Sequence, residues 1–421
     1  MRHILLGLLL VAVVFFGGSA DAQQILPVPV DSTDLITPVN AQPLPIESVA
    51  RRRGLLLGEP SRNLIIFAST GITGASAALY EAWVPRRRIH SQWQGLETVY
   101  PSMTRPAKGS SVSLLQLFSR MGRRLGMVSD ENFILPGFIQ AEPSQQTVDL
   151  SNYHLALSFS SQKEPEERAF LINSASGSGL PSALTFAELE RLFTSKSARI
   201  AGCFYGPVKS SASSAAREPG FAELVSSAVS RLAVAPEGFF LTVNYRSVAD
   251  ARNKNLFWQM LEHKKIQDNI LQQLVTFVHG RKDTLLLVVD EPESGSWSIG
   301  PDFAPAAFVA DLKKIPDVMQ DIVEKPANSA AVLGRYYDGI SFPVDDILGA
   351  LAAGEVEKAE SLIEHGLNRA HQVSFASHVT ELANSGMTVF SLGRNAEMFF
   401  GLSSFEDFHR RLLSCVSMPG E

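Results

Sequence analysis

The chain has 421 residues, 45% hydrophobic and 19% charged, with a formal net charge of −6. Its apolar fraction is ample for a large buried core, and the acidic balance gives no reason to expect nucleic acid or an anionic membrane as partner. Two cysteines, Cys203 and Cys415, are too few for a disulfide framework.

Arg2 and His3 precede a continuous apolar run, Ile4 to Phe16, followed by Gly17-Gly18-Ser19 and Ala20-Asp21-Ala22. The run is short for a bilayer span and has the flanks of a secretory signal, so residues 1–22 are expected to be a cleaved signal peptide and the protein secreted or extracytoplasmic. Residues 23–60 hold five prolines up to Pro45 in a mixed apolar and polar stretch, the composition of an extended linker or strap. The basic runs Arg51-Arg52-Arg53 and Arg86-Arg87-Arg88 are short and read as solvated faces.

From Asn63 strands and helices alternate. "NLIIFASTGITGAS" reads as strand, tight turn and helix, with no charged residue in the turn. "VSLLQLFSRMGRRLGMVS" reads as a helix, then Gly126, then a strand. "ARIAGCFYG" reads as a core strand around Cys203, whose thiol is either buried and free or bridged to Cys415. In "FAELVSSAVSRLA", Phe221, Leu224, Val225, Ala228, Val229 and Leu232 recur at helical spacing. "EGFFLTVNY" is a strand, "NLFWQMLEHKKIQDNILQQLVTFVHG" a long helix ending at Gly280, and "DTLLLVVDE" and "MTVFSLG" are apolar strands. Continuous apolar strands alternating with helices predict an α/β fold, a mainly parallel sheet covered by helices on both faces. "DDILGALAAGEVEKAESLIEHGLNRA" predicts a helical hairpin inserted at about residues 343–372 of a domain spanning 61–421.

Several of these stretches resemble, in order, segments of the alkaline phosphatase family. "NLIIFASTGITGAS" resembles N-x-I-L-F-x-G-D-G-M-G-x-S, "PEGFFLTVNYRSVADARN" resembles P-K-G-F-F-L-x-V-E-G-x-x-I-D-H-x-x-H, and "DTLLLVVDEPESGS" resembles D-T-L-x-V-V-T-A-D-H. "GSSVSLLQLFSRMGRRLGMV" and "MTVFSLGRNAEMFFGLSSFEDF" are similar to further family segments. The resemblance implies a phosphomonoesterase sheet whose strand ends hold two zinc ions, a magnesium ion and a serine nucleophile. Such metals need imidazole or carboxylate ligands.

The matched metal positions fall instead on Thr70, Asn244, Ala249, Asn253, Glu291 and Leu382, and only Asp290 or Glu291, depending on a one-residue gap, keeps a carboxylate. The family's substrate-binding Arg falls near Asn132. The nucleophile loop is missing; Ser102, Ser110 and Ser111 are ordinary loop serines. The resemblance therefore implies a degenerate member with no catalytic residue, no metal site and no expected cofactor, acting through binding or structure. Two other readings stay open. One is a hydrolase with a rewired metal site, using Ser102 or Thr70 as nucleophile and Asp290 with Glu291 as ligands; zinc and magnesium would then be its cofactors. The other is a solute-binding protein using Arg246. No H-x-x-x-H or H-E-x-x-H occurs, although His371 and His378 would share a face if a helix ran through both. Family relatives are commonly homodimers, which implies a homodimer here, and no later segment has the length of a transmembrane helix.

Overall fold

The computed structural model describes residues 60–83, 97–99, 118–130, 150–160, 165–176, 181–195, 199–205, 220–291, 295–377, 388–399 and 405–416. The signal peptide, nearly all of the strap, Ser102, Ser110, Ser111, Asn132, Pro292, His378 and Leu382 lie outside them.

The strands, in chain order, are β1 (Asn63–Thr70), β2 (Glu97–Val99), β3 (Arg124–Ser129), β4 (Leu155–Ser160), β5 (Ser182–Ala183), β6 (Ile200–Tyr205), β7 (Phe239–Tyr245), β8 (Thr284–Glu291), β9 (Gly295–Ile299), β10 (Val373–Ser377) and β11 (Thr388–Gly393). Nine form one sheet in the order β2-β11-β8-β1-β7-β3-β4-β6-β5. From β8 to β5 every pairing is parallel, and β11 and β2 close one edge antiparallel. β9 and β10 make a separate antiparallel pair. The fold is thus the mainly parallel α/β sheet that the apolar runs predict.

The central strands are apolar on both faces because both faces are covered. All residues of β1 and β7 are buried. Phe239 and Phe240, adjacent and so on opposite faces of β7, pack against different rings. Phe239 meets Phe277 with centroids 6.4 Å apart, and Phe240 stacks on Phe118 at 4.5 Å.

The helices that matter for the strand ends are α1 (Gly74–Trp83), α2 (Phe221–Leu232), α3 (Ser247–Asn253) and α4 (Phe257–His279). The six apolar positions of the 221–232 pattern are all buried along α2. α4 runs to His279 with Gly280 as its C-cap. Two further helices, α5 (Val344–Ala352) and α6 (Val356–Ala370), pack against each other as a hairpin.

Three local expectations change. Gly126 does not break the chain; it lies inside β3, where an added Cβ would come within 2.3 Å of Leu232 Cδ1. The turn is at Gly122, four residues earlier, which takes φ +70°. The helix before His371 ends at Ala370 and the strand β10, Val373–Ser377, follows, so no helix continues through His371. Cys203 and Cys415 are both buried and no disulfide joins them, so the bridged alternative does not hold.

Candidate functional site

In a parallel α/β sheet, ligands sit beyond the carboxyl ends of the strands. Here the relevant ends are those of β1, β7, β8 and β3. The register sets Ser69 beside Asp290, Thr70 beside Glu291, Ala68 beside Asn244, and Ser129 beside Asn244. The residues matched from sequence at Thr70, Asn244, Asp290 and Glu291 therefore come together, while Ala249 and Asn253 follow on α3.

Leaving β1, the chain turns at Gly71 with φ +70°, a conformation glycine adopts at little cost. The next two backbone N–H groups, of Ile72 and Thr73, donate to the Asp290 carboxylate at 3.1 and 2.8 Å, and the Thr73 hydroxyl donates to the same group at 2.5 Å. Asp290 is 5% exposed. Burial pushes its carboxyl up to about 6, against the pull of these hydrogen bonds and of the Lys264 charge. Both carboxylate oxygens are thus engaged by the turn.

A second turn is filled in the same manner. Asp130, just after β3, accepts from the Arg246 N–H at 2.8 and 2.7 Å, the Ser247 N–H at 2.7 Å and the Ser247 hydroxyl at 2.7 Å. Its own N–H donates to the Asn244 carbonyl at 3.1 Å. Backbone N–H groups at a strand-to-helix turn are an anion-receptive concavity. At both turns the anion is a carboxylate of the chain itself. Arg246, the cation considered for solute binding, lies next to this second turn, half-buried, with its backbone N–H committed to Asp130.

The remaining positions offer weak donors. The Thr70 hydroxyl oxygen is buried and has no hydrogen-bond partner. Asn244 is buried and contributes an amide, Ala249 is buried and contributes a methyl group, and Asn253 sits exposed on α3. Glu291 is partly exposed beside Thr70. This donor set does not suit a divalent metal: hydroxyls and amides replace the charged or imidazole ligands that zinc needs, and both oxygens of the buried carboxylate already accept from N–H and O–H donors of the turn. Among the described residues no group of three His, Cys, Asp or Glu is placed to hold a metal ion. Three of the described histidines have other partners: His154 Nδ1 accepts from the Leu125 N–H at 3.2 Å, His263 meets the Tyr245 hydroxyl at 2.9 Å, and His371 meets Asp311 at 2.9 Å.

Sequence reasoning misses Asp130, Lys264 and Gln267. Lys264 is 2% exposed, on the buried side of α4. It and Gln267 keep helical spacing with Leu261, Leu271 and Leu274. Polar residues at apolar positions of an amphipathic helix are the signal that could have found them.

Neither a protein-family model nor a curated relative matches the sequence. Solved structures do match. The alkaline phosphatase of Thermus thermophilus has 16% sequence identity and a TM-score of 0.58, over 86% of this chain and 92% of that one. The cold-active alkaline phosphatase of Shewanella sp. has 14% identity and a TM-score of 0.59, over 85% of this chain and all of that one, 100%. At such identities the likeness is one of architecture, and the chain carries the alkaline phosphatase fold.

Proposed function

We propose that this chain is a secreted, catalytically inactive protein of alkaline phosphatase fold that works through binding or structure. The observation that carries this reading is the state of Asp290. It is, with Glu291, one of the two carboxylates at the matched metal positions beside β1, and both its oxygens serve as an internal cap for the β1–α1 turn. The neighbouring positions, Thr70, Asn244, Ala249 and Asn253, supply no charge. Export is supported by the Ile4–Phe16 run and the Ala20-Asp21-Ala22 pattern, and among the described residues no helix is long and apolar enough to cross a membrane.

The rival, a hydrolase with a rewired site, draws on the unpartnered Thr70 hydroxyl beside Glu291. One preparation separates the two. The mature protein is analysed for zinc and magnesium and assayed on an aryl phosphate through successive purification steps. The inactive reading expects no stoichiometric metal and no activity that co-purifies. Stoichiometric zinc, or hydrolysis that persists and is lost in Thr70→Ala, establishes the rival instead.

A homodimer is part of the same proposal. Its support is the resemblance and the apolar, proline-rich strap of residues 23–60, which needs a surface to pack on. A stable dimer should bury well over ~1,000 Å². Light scattering with and without residues 23–60 decides: a monomer in both forms removes the dimer, and a dimer in both removes the strap as its cause.

A further inference from the structure

The Lys264 ammonium donates to the Gly71 carbonyl at 2.5 Å and to Gln267 Oε1. Gln267 Nε2 donates onward to Ser69 Oγ at 2.6 Å and to the Thr70 carbonyl at 3.1 Å. Ser69 Oγ donates to the Tyr245 carbonyl, the last residue of β7, at 2.6 Å. The ammonium also lies 5.8 Å from the centroid of the Tyr80 ring on α1. Lys264, Gln267 and Ser69 are each at most 2% exposed. Asp290 of β8 grips the same turn at Ile72 and Thr73. One buried cation and one buried carboxylate thus flank three consecutive turn residues and join β1, β7, β8, α1 and α4.

We propose that Lys264 is a built-in structural cation: it cross-links the strand ends and balances the Asp290 carboxylate that holds the same turn. The chemistry suits the place. An ammonium is a compact point charge with three donors, and the Gly71 carbonyl and the Gln267 amide oxygen accept from it. The Lys264 charge also holds down the Asp290 carboxyl against its burial. A tethered cation cannot be removed by dilution or chelation, so the fold would need no metal supply. This inference rests on the inactive reading of the site.

The test is denaturant unfolding of Lys264→Met, Asp290→Asn and the double variant, with and without EDTA. Losing a buried charged hydrogen-bond donor should shift the Lys264→Met unfolding constant by roughly ten- to a hundredfold. The same substitution in the Asp290→Asn background should cost several-fold less, because the charge it balances is gone. EDTA should change none of the wild-type values. Lys264→Met as stable as the wild type overturns the proposal; that is the outcome when a buried ion is merely tolerated and a hydrophobe replaces it without loss. Should Lys264→Met fail to fold, amine acylation of the wild type decides. Lys264 should react at least tenfold more slowly than exposed Lys265 on the same helix, in EDTA as without it. Equal rates overturn the proposal. A metal-free, phosphatase-negative protein with a dispensable Lys264 sinks this inference alone, whereas zinc in the wild type sinks the inactive reading first.

Discussion

Asn255 pairs with Phe375 as one strand residue pairs with another: its Nδ2 donates to the Phe375 carbonyl at 3.0 Å, and its Oδ1 accepts the Phe375 N–H at 2.5 Å. The residue sits between α3 and α4 with φ +58°, and its own carbonyl accepts from Asn368 Nδ2 at 2.7 Å. The Asn255 amide thereby ties the start of the long helix to β10, and the Asn368 amide ties it to α6. Asparagine is one of the few residues that tolerates this backbone conformation.

Asn255→Ala should therefore lose two hydrogen bonds and add backbone strain, destabilising by about 3 kcal/mol in denaturant titrations. Asn255→Gly relieves the strain and should recover about 1 kcal/mol of that loss. Equal losses for both variants would mean that the conformation contributes nothing.

Asp130→Ala removes an anion that receives four hydrogen bonds at the entry to α3. The expected loss is about 2 kcal/mol, since charge-assisted bonds to backbone N–H groups are the stronger kind. Asp130→Asn keeps the shape but loses charge, and should fall between. If these N–H groups are truly anion-receptive, Asp130→Ala should also gain weak phosphate binding, read by a phosphate-dependent rise in melting temperature. The wild type should show no such rise.

Two buried groups titrate with opposite effect on stability. Burial pushes the Asp290 carboxyl up from 3.8 to about 6. A carboxyl with a raised folded value contributes stability that is full below pH 3.8 and lost as pH rises through about 6. Burial pushes His263 down from 6.5 to about 4. An imidazole with a depressed folded value contributes stability that is present above pH 6.5 and lost as pH falls through about 4. Each is worth up to about 3 kcal/mol, with His263 smaller because part of its residue surface stays exposed. Between pH 4 and 6.5 the two offset. Asp290→Asn should make stability fall on acidification across that window, and His263→Gln should make it rise. Parallel pH profiles for the two variants contradict the assignment.

The sheet was legible because its central strands are covered on both faces. "NLIIF", "GFFLTV" and "TLLLVV" can be little else, and the 3.6-residue pattern of Phe221 to Leu232 names its own buried face. The turn after β1 was legible from Gly71. What filled it was not. Asp290 is 218 and 217 positions from the N–H groups it caps, and Asp130 is 116 from Arg246. No local pattern encodes such partners; only the strand order brings them together. Gly126 misled because a glycine in a strand, left bare to admit Leu232, looks in sequence like a helix end.

Thr70 is the last test of what these strand ends do. Thr70 pairs in register with Glu291 on β8, and its hydroxyl is buried yet has no hydrogen-bond partner. An unsatisfied buried hydroxyl costs about 1–3 kcal/mol, and such a cost persists either by indifference or because the group has work to do. Thr70→Val keeps the β-branched shape that suits a strand and deletes the polar atom. If the inactive reading holds, Thr70→Val should unfold at higher denaturant, by about 1 kcal/mol, and binding of any partner found for the protein should be unchanged. Thr70→Asp, which restores the carboxylate of the matched family position, should lower stability without capturing zinc, because Asn244, Ala249 and Asn253 still offer it no charged or imidazole ligand. Zinc uptake by Thr70→Asp, measured by elemental analysis after gel filtration, would show that one residue had closed the site and that the remaining strand-end residues still suit a metal.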